Sequence, residues 1–148
     1  MRRWLLLSVI AAALASGVLA APDLKRAQAE SNLEKRSGLA LDNAAAALRS
    51  ARESYQKGDN RQVEADVTEI KDSVDLAYTS LVQTGKDPRR SPKWFKHAEF
   101  ATRDLLRRLE SFQQEMDFAD RAMLDPVKAR VSQVHDDLLL GLMEGKRK

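Results

Sequence analysis

The sequence predicts an all-α fold, and three observations lead to this class. The 148-residue chain is rich in alanine, leucine and charged residues, whereas aromatic residues make up only 5% of it. No run of alternating β-branched residues is present, and apolar residues recur every three or four positions, as on one face of a helix. The apolar positions of consecutive segments also match in register. The predicted architecture is an antiparallel up-down-up-down four-helix bundle, built from two αα-hairpins after a cleavable signal peptide.

Residues 1–20 are predicted to be the signal peptide. Arg2 and Arg3 form a positive start, and Trp4–Ala15 is an apolar run. This run is shorter than the roughly 20 residues that span a bilayer. Cleavage is expected after Ala20, with the product periplasmic or secreted and without a transmembrane segment. The chain has no cysteine, so its stability has to come from packing.

Signal cleavage changes the net charge. The whole chain has 25 basic and 22 acidic residues, and the loss of Arg2 and Arg3 leaves 23 against 22, or about +1. A nearly neutral protein does not attract polyanions through its net charge. Specific nucleic-acid binding is therefore not expected of the single mature domain, residues 21–148.

The first hairpin is predicted to pair a helix at about 22–57 with one at about 60–84. Gly58 is expected to end the first helix, and Asp59 or Asn60 to cap the second. The two apolar stripes are Leu41, Ala44, Leu48, Ala51 and Tyr55, and then Val63, Val67, Ile70, Val74, Ala77 and Leu81. Spacings of three and four residues make each stripe one helix face.

The second hairpin is predicted to pair helices at about 92–116 and 126–144. Ser91 is expected to cap the first of them, with Pro92 in its opening turn, and Asp117 to cap a short helical turn. The stripes are Trp94, Ala98, Ala101, Leu105, Leu109, Phe112 and Met116, and then Val127, Val131, Val134, Leu138 and Leu142.

Within each predicted hairpin, five stripe residues of one helix face five stripe residues of the partner helix. Tyr55 would face Val63, and Leu48 would face Ile70. This agreement favours intramolecular hairpins. The same stripes also suit a coiled-coil pair between two chains, so a homodimer stays open.

The residue pattern argues against an enzyme and against a bound cofactor. In the predicted register His135 faces about residue 108, so His97 is expected more than two helical turns away, and the Glu-x-x-His repeat of di-iron bundles is absent. The first helix has no histidine or methionine to ligate a haem. No cysteine nucleophile, Gly-x-Ser-x-Gly motif or phosphate-binding loop is present.

The segment Thr84–Phe95, which we call the hub, joins the two hairpins. Residues 85–96 carry five basic residues and one acidic residue, a local charge of +4. The up-and-down path places the hub and the C-terminal tail at one end, while segments 52–66 and 115–128 at the other end carry −1 and −2. The candidate contacts are Lys86, Arg89, Arg90, Lys93, Phe95, Lys96, Lys146, Arg147 and Lys148.

Three hypotheses follow for the function. The first is a non-enzymatic exported protein whose basic end contacts an anionic partner, such as lipid headgroups, cell-wall polymer or an acidic protein. Phe95 is expected to be exposed there, while Trp94 belongs to the core stripe. The second is a ligand carrier or chaperone-like binder that uses an apolar groove lined by Ala44–Ala47. The third, a metal or haem protein, has the least support. A charged loop is also an ordinary solvated connection between helices.

Overall fold

The computed structural model describes residues 21–145 of the chain, and this range is helical, without a strand. The all-α prediction is confirmed. The signal peptide predicted at residues 1–20 and the tail residues Lys146, Arg147 and Lys148 lie outside the described residues. The α-helices are α1 (Lys25–Ala29), α2 (Leu33–Gln56), α3 (Asn60–Gln83), α4 (Lys93–Glu115) and α5 (Asp125–Glu144), with a 3₁₀-helix at Phe118–Leu124.

The segment expected to form one helix at 22–57 is divided into α1 and α2. Asn32 has extended backbone angles, and its side chain accepts a hydrogen bond from the amide of Lys35, so it caps a new helix. Glu30 accepts a hydrogen bond from the Asn32 amide on the other side of the break. From Leu33 onward α2 is continuous, and it passes through Gly38 without interruption.

The short helix α1 lies back along the first half of α2. The amide of Asp23 donates to the Asn43 side chain at 2.8 Å, and the amide of Leu24 donates to Glu69 at 2.9 Å. Ala27 is buried in the same region. These contacts tie the start of the described chain to both helices of the first hairpin.

The turn between α2 and α3 follows the predicted chemistry. Gly58 has a φ of 75°, in the left-handed region that favours glycine. The Asp59 side chain accepts a hydrogen bond from the amide of Gln62, which confirms it as the cap of α3. Leu48 and Ile70, predicted to face each other, are both fully buried.

The turn between α4 and α5 contains the 3₁₀-helix. Asp117 precedes it without a side-chain capping bond, so its predicted role as a cap is wrong. Its amide instead donates to the hydroxyl of Tyr55 in α2. Pro126 lies in the first turn of α5, where its missing N–H costs no helical hydrogen bond.

The two hairpins pack so that α2 lies beside α4 and α3 lies beside α5. Gly38 and Trp94 meet near the starts of α2 and α4, and Arg52 forms an ion pair with Glu115 near their ends, so these two helices run parallel. The hub therefore lies at the same end as the starts of α2 and α4. We call this the hub end.

Candidate partner-binding surface at the hub

The backbone of the hub is organised by its one acidic residue. The Asp87 side chain accepts a hydrogen bond from the Arg89 amide at 2.8 Å. The Asp87 carbonyl accepts from the amides of Arg90 and Ser91. Asp87 and the following Pro88 thus build a tight turn that presents two adjacent arginines. Ser91 was expected to cap α4, but the helix starts at Lys93 without a side-chain cap, so that prediction is wrong.

The hub is seated on the C-terminal end of α5. Pro88 is buried, and a Cβ atom built on Gly141 would lie 3.3 Å from its ring. Gly145, the last described residue, lies against Asp87 and Arg89. The hub is therefore held by packing as well as by its own hydrogen bonds, and the cations it carries have a defined position.

Five of the predicted contact residues are exposed cations, and four of them, Arg89, Arg90, Lys93 and Lys96, form no ion pair with another described residue. The ammonium of Lys93 lies 5.6 Å from the centre of the Trp94 ring, within cation–π range. Lys86 differs, because its ammonium is 2.7 Å from Glu34 at the start of α2. The tail residues cannot be placed, since they lie outside the described range.

Phe95 was expected at the surface, and this prediction is wrong, whereas Trp94, expected in the core stripe, packs against the edge of the core. Phe95 is only 6% exposed, while Trp94 is half-buried and packs over Gly38. The buried face of α4 includes Thr102 rather than Ala101. The Thr102 hydroxyl donates to the Ala98 carbonyl of its own helix at 2.8 Å, so its burial leaves no unsatisfied donor.

A cavity of about 340 Å³ opens beside the hub, between the C-terminal ends of α3 and α5. Its apolar wall consists of Val82, Pro88, Phe95, Leu138 and Leu140. Three charged and exposed residues also line it, namely Lys86, Asp137 and Glu144. No pattern along the chain indicates this cavity, because its wall combines α3, the hub and α5, which only the tertiary fold brings together.

The alanine row of α2 does not line this cavity or the second one, of about 430 Å³, beside Trp94 and His97. Ala44 and Ala47 are fully buried, and Ala45 and Ala46 are half-buried. These small side chains allow close packing with neighbouring helices.

The two histidines lie in different surroundings, and the predicted separation of more than two turns is wrong, because His135 lies opposite Glu99, two residues from His97. His97 is exposed on the wall of the second cavity. His135 is largely buried, its Nε2 atom is 3.8 Å from Glu99 Oε1, and its Nδ1 atom has no hydrogen-bond partner. Within residues 21–145, no three histidine or acidic side chains are grouped so as to hold a metal ion.

At the end of the molecule opposite the hub, Tyr55 connects α2 to the turn between α4 and α5. Its hydroxyl donates to Asp120 and accepts from the Asp117 amide, each at 2.9 Å. The Asp117 amide, the largest single influence, lowers the pKa of this hydroxyl. Partial burial and the two neighbouring carboxylates together outweigh it and raise the Tyr55 pKa above 10.0.

Comparisons with protein-family models, with curated proteins and with solved structures found no match. Among the described helices, none is long and apolar enough to cross a bilayer. The arguments for function therefore come from the site itself.

Proposed function

We propose that this chain is an exported, non-enzymatic interaction protein that contacts an anionic partner through the hub end. The mature domain, residues 21–148 after cleavage at Ala20, would be an up-down-up-down four-helix bundle. Its periplasmic or secreted location is part of the proposal.

One observation carries the proposal. Arg89, Arg90, Lys93 and Lys96 fall within eight residues, all are exposed, and no described carboxylate forms an ion pair with any of them. Elsewhere in residues 21–145, Arg52, Arg108 and Arg130 have acidic partners, and no other stretch of eight residues carries four unpaired cations. Clustered cations without partners attract an anionic surface more strongly than paired ones.

The test replaces Arg89, Arg90, Lys93 and Lys96 with serine in the chain from residue 21 to 148. The wild-type chain is expected to retain an anionic envelope fraction in a pull-down at low salt and to lose it at high salt. The quadruple variant is expected to lose the retention at both. A matched control replaces four exposed cations away from the hub, Lys25, Arg49, Lys57 and Arg61. Retention that is insensitive to salt and unchanged in the hub variant would refute the proposal.

A second candidate function, a carrier of a small apolar ligand, is favoured by the cavity beside the hub. Its volume of about 340 Å³ lies within the usual range of ligand pockets, and its wall is largely apolar. In this version of the carrier hypothesis, the cavity replaces the groove that was expected along the alanine row.

Filling the cavity tests this candidate. Leu140 lines the cavity and its neighbour Leu139 does not, so Leu140→Trp and Leu139→Trp form a matched pair. A carrier is expected to bind an environment-sensitive apolar dye, and only Leu140→Trp should abolish the binding. Equal dye binding by the two variants would exclude the cavity as the site.

A further inference from the structure

The outward face of α4 carries a row of residues that the core does not use. Lys93, Lys96, Phe100, Arg103 and Arg107 are spaced three and four residues apart, and all five are exposed. This spacing places them on one side of the helix, opposite the buried side that contains Leu105 and Leu109. At 1.5 Å per residue the row is about 21 Å long.

Phe100 is the unusual member of this row. It is 64% exposed, although a phenylalanine gains free energy when it leaves water. The guanidinium of Arg103 lies 4.4 Å from the centre of its ring. This contact covers part of the ring and leaves most of the side chain in solvent.

Two exposed apolar residues of α5 lie close to this row. Leu139 is 41% exposed and Met143 is 68% exposed. His135 Nε2 lies 3.8 Å from Glu99, the neighbour of Phe100, which shows that these residues are level with each other on the two helices. Leu139 and Met143 follow one and two turns after His135 toward the hub end, on the side of α5 next to α4. Together, Phe100, Leu139, Met143 and the cations of α4 form what we call the α4–α5 face.

The cations of α4 in the α4–α5 face point outward, and one exposed carboxylate, Asp136, lies three residues from Leu139 on the same side of α5. Lys93 and Lys96 have no ion-pair partner among the described residues. Arg103 and Arg107 pair with Glu99 and Asp104, but the carboxylates lie deeper. The Arg107 side chain is 79% exposed, against 38% for that of Asp104. A flat anionic surface would therefore meet the cations first.

We propose that the α4–α5 face docks on the surface of an anionic phospholipid bilayer. Phe100, Leu139 and Met143 would enter the boundary between headgroups and acyl chains, and the flanking lysines and arginines would bind the headgroup phosphates. This inference rests on the proposed function, because it identifies the anionic partner of the hub end.

A bilayer fits the α4–α5 face better than other anionic partners do. A polysaccharide or polyphosphate would satisfy the cations but leave three apolar side chains in water. A protein partner usually buries an aromatic anchor in a pocket, surrounded by a rim that excludes water. Here the apolar residues stand on a convex helical ridge among long cations, which is the arrangement of helices that lie at a membrane surface.

The test uses residues 21–148, since the described helices and their core lie within this range. Sedimentation with vesicles of phosphatidylcholine and phosphatidylglycerol is compared with sedimentation with phosphatidylcholine alone. We expect binding only to the anionic vesicles.

The triple change Phe100→Ser, Leu139→Ser and Met143→Ser should weaken vesicle binding about tenfold. The double change Lys93→Gln and Lys96→Gln should also weaken it about tenfold at low salt. Because all five side chains are exposed, the fold should be kept, which circular dichroism checks.

The controls lie at the opposite end of the molecule. Phe118→Ser removes an aromatic residue that is 88% exposed, and Lys57→Gln with Arg61→Gln removes two exposed cations. Neither should change vesicle binding. An independent measurement compares Phe100→Trp with the wild-type chain, whose Trp94 gives the background fluorescence. Lipids brominated in their acyl chains should quench Phe100→Trp more than the wild type, whereas Phe118→Trp should show no added quenching.

The outcomes separate this inference from the proposed function. If the lysine variant loses vesicle binding but the triple apolar variant does not, the contact is electrostatic only, and insertion is refuted while the proposed function stands. If no vesicle is bound but immobilised polyglutamate retains the chain through the hub cations, the partner is an acidic polymer or protein, and the bilayer is refuted. If neither probe is bound, both proposals fall.

Discussion

At the scale of single residues, the hydroxyl of Tyr55 joins three parts of the fold. It links α2 to the backbone of Asp117 and to the side chain of Asp120, and its ring packs edge-on against Phe112 at 5.9 Å. The apolar part of the side chain thus contributes to packing, while the hydroxyl holds the turn between α4 and α5.

We expect Tyr55→Phe to keep the packing and to loosen this turn, which lowers the urea midpoint of unfolding. Because the pKa of Tyr55 is raised in the native state, the direction in which stability changes with pH can be predicted. The native state holds the proton more tightly than the unfolded state, so the contribution is complete below about pH 10 and is lost as the pH rises further. The wild-type midpoint should fall in this range more steeply than that of the variant. Parallel curves would contradict the prediction.

Gly38 shows how close the helices approach at the hub end. A Cβ atom at this position would lie 3.2 Å from the ring of Trp94, so even a methyl group has to displace the ring. Trp94 is also the one tryptophan in residues 21–148, so the tryptophan fluorescence of this chain reports on the surroundings of Trp94 alone.

We expect Gly38→Leu to push Trp94 toward solvent, shift its emission to longer wavelength and destabilise the chain by about 1–3 kcal/mol. The matched control is Arg49→Leu, at an exposed position of the same helix. A Gly38→Leu variant with unchanged emission and stability would show that the ring has room to move.

At the scale of elements, the short helix α1 depends on other helices for its stability. Five residues are too few for an isolated helix to form in water. Its position depends on Glu69 of α3, which accepts hydrogen bonds from the Leu24 amide and from the side chain of Asn43.

We expect Glu69→Ala to release α1 and to cost about 1 kcal/mol, because the partly buried amide of Leu24 loses its acceptor. Hydrogen exchange should rise at residues 23–29 and stay unchanged in α4 and α5. Glu64→Ala, at an exposed position of the same helix, serves as the control. Unchanged exchange at residues 23–29 would mean that the packing of Ala27 is sufficient.

The packing of the hub on α3 and α5 separates its buried apolar residues from its exposed cations. Pro88 and Phe95 face the ends of α3 and α5, and the cations between and beyond them face solvent. Both proposals for function depend on this division.

At the scale of the whole molecule, ion pairs connect the two hairpins. Arg130 of α5 pairs with Asp75 of α3, with each side chain 29% exposed, and Arg52 of α2 pairs with Glu115 of α4. Burial decides the strength of such pairs, because water screens the exposed ones.

We expect a double-mutant cycle on Arg130 and Asp75 to give a coupling of about 0.5–1 kcal/mol that decreases at high salt. The cycle for Arg107 and Asp104, whose side chains are more exposed, should give a value near zero. Equal coupling in the two cycles would refute the ranking by burial.

The sequence by itself determined the helical class and much of each hairpin. Spacings of three and four identify a helix face wherever the apolar residues are unambiguous, as for Leu48 and Ile70, and local hydrogen bonding accounts for Gly58 and Asp59. These features depend on residues that are close together in the chain.

Only the tertiary structure decided the rest. The fold-back of α1 depends on Glu69, which is 45 positions from the amide it binds. In the first turns of α4, Phe95 and Thr102 are buried while Trp94 and Ala101 are only partly buried. The hydrogen bond that satisfies the Thr102 hydroxyl permits this pattern, which hydropathy does not detect. The choice of α4 as the neighbour of α2, the cavity beside the hub and the α4–α5 face all arise between hairpins, where no local pattern in the sequence specifies the packing.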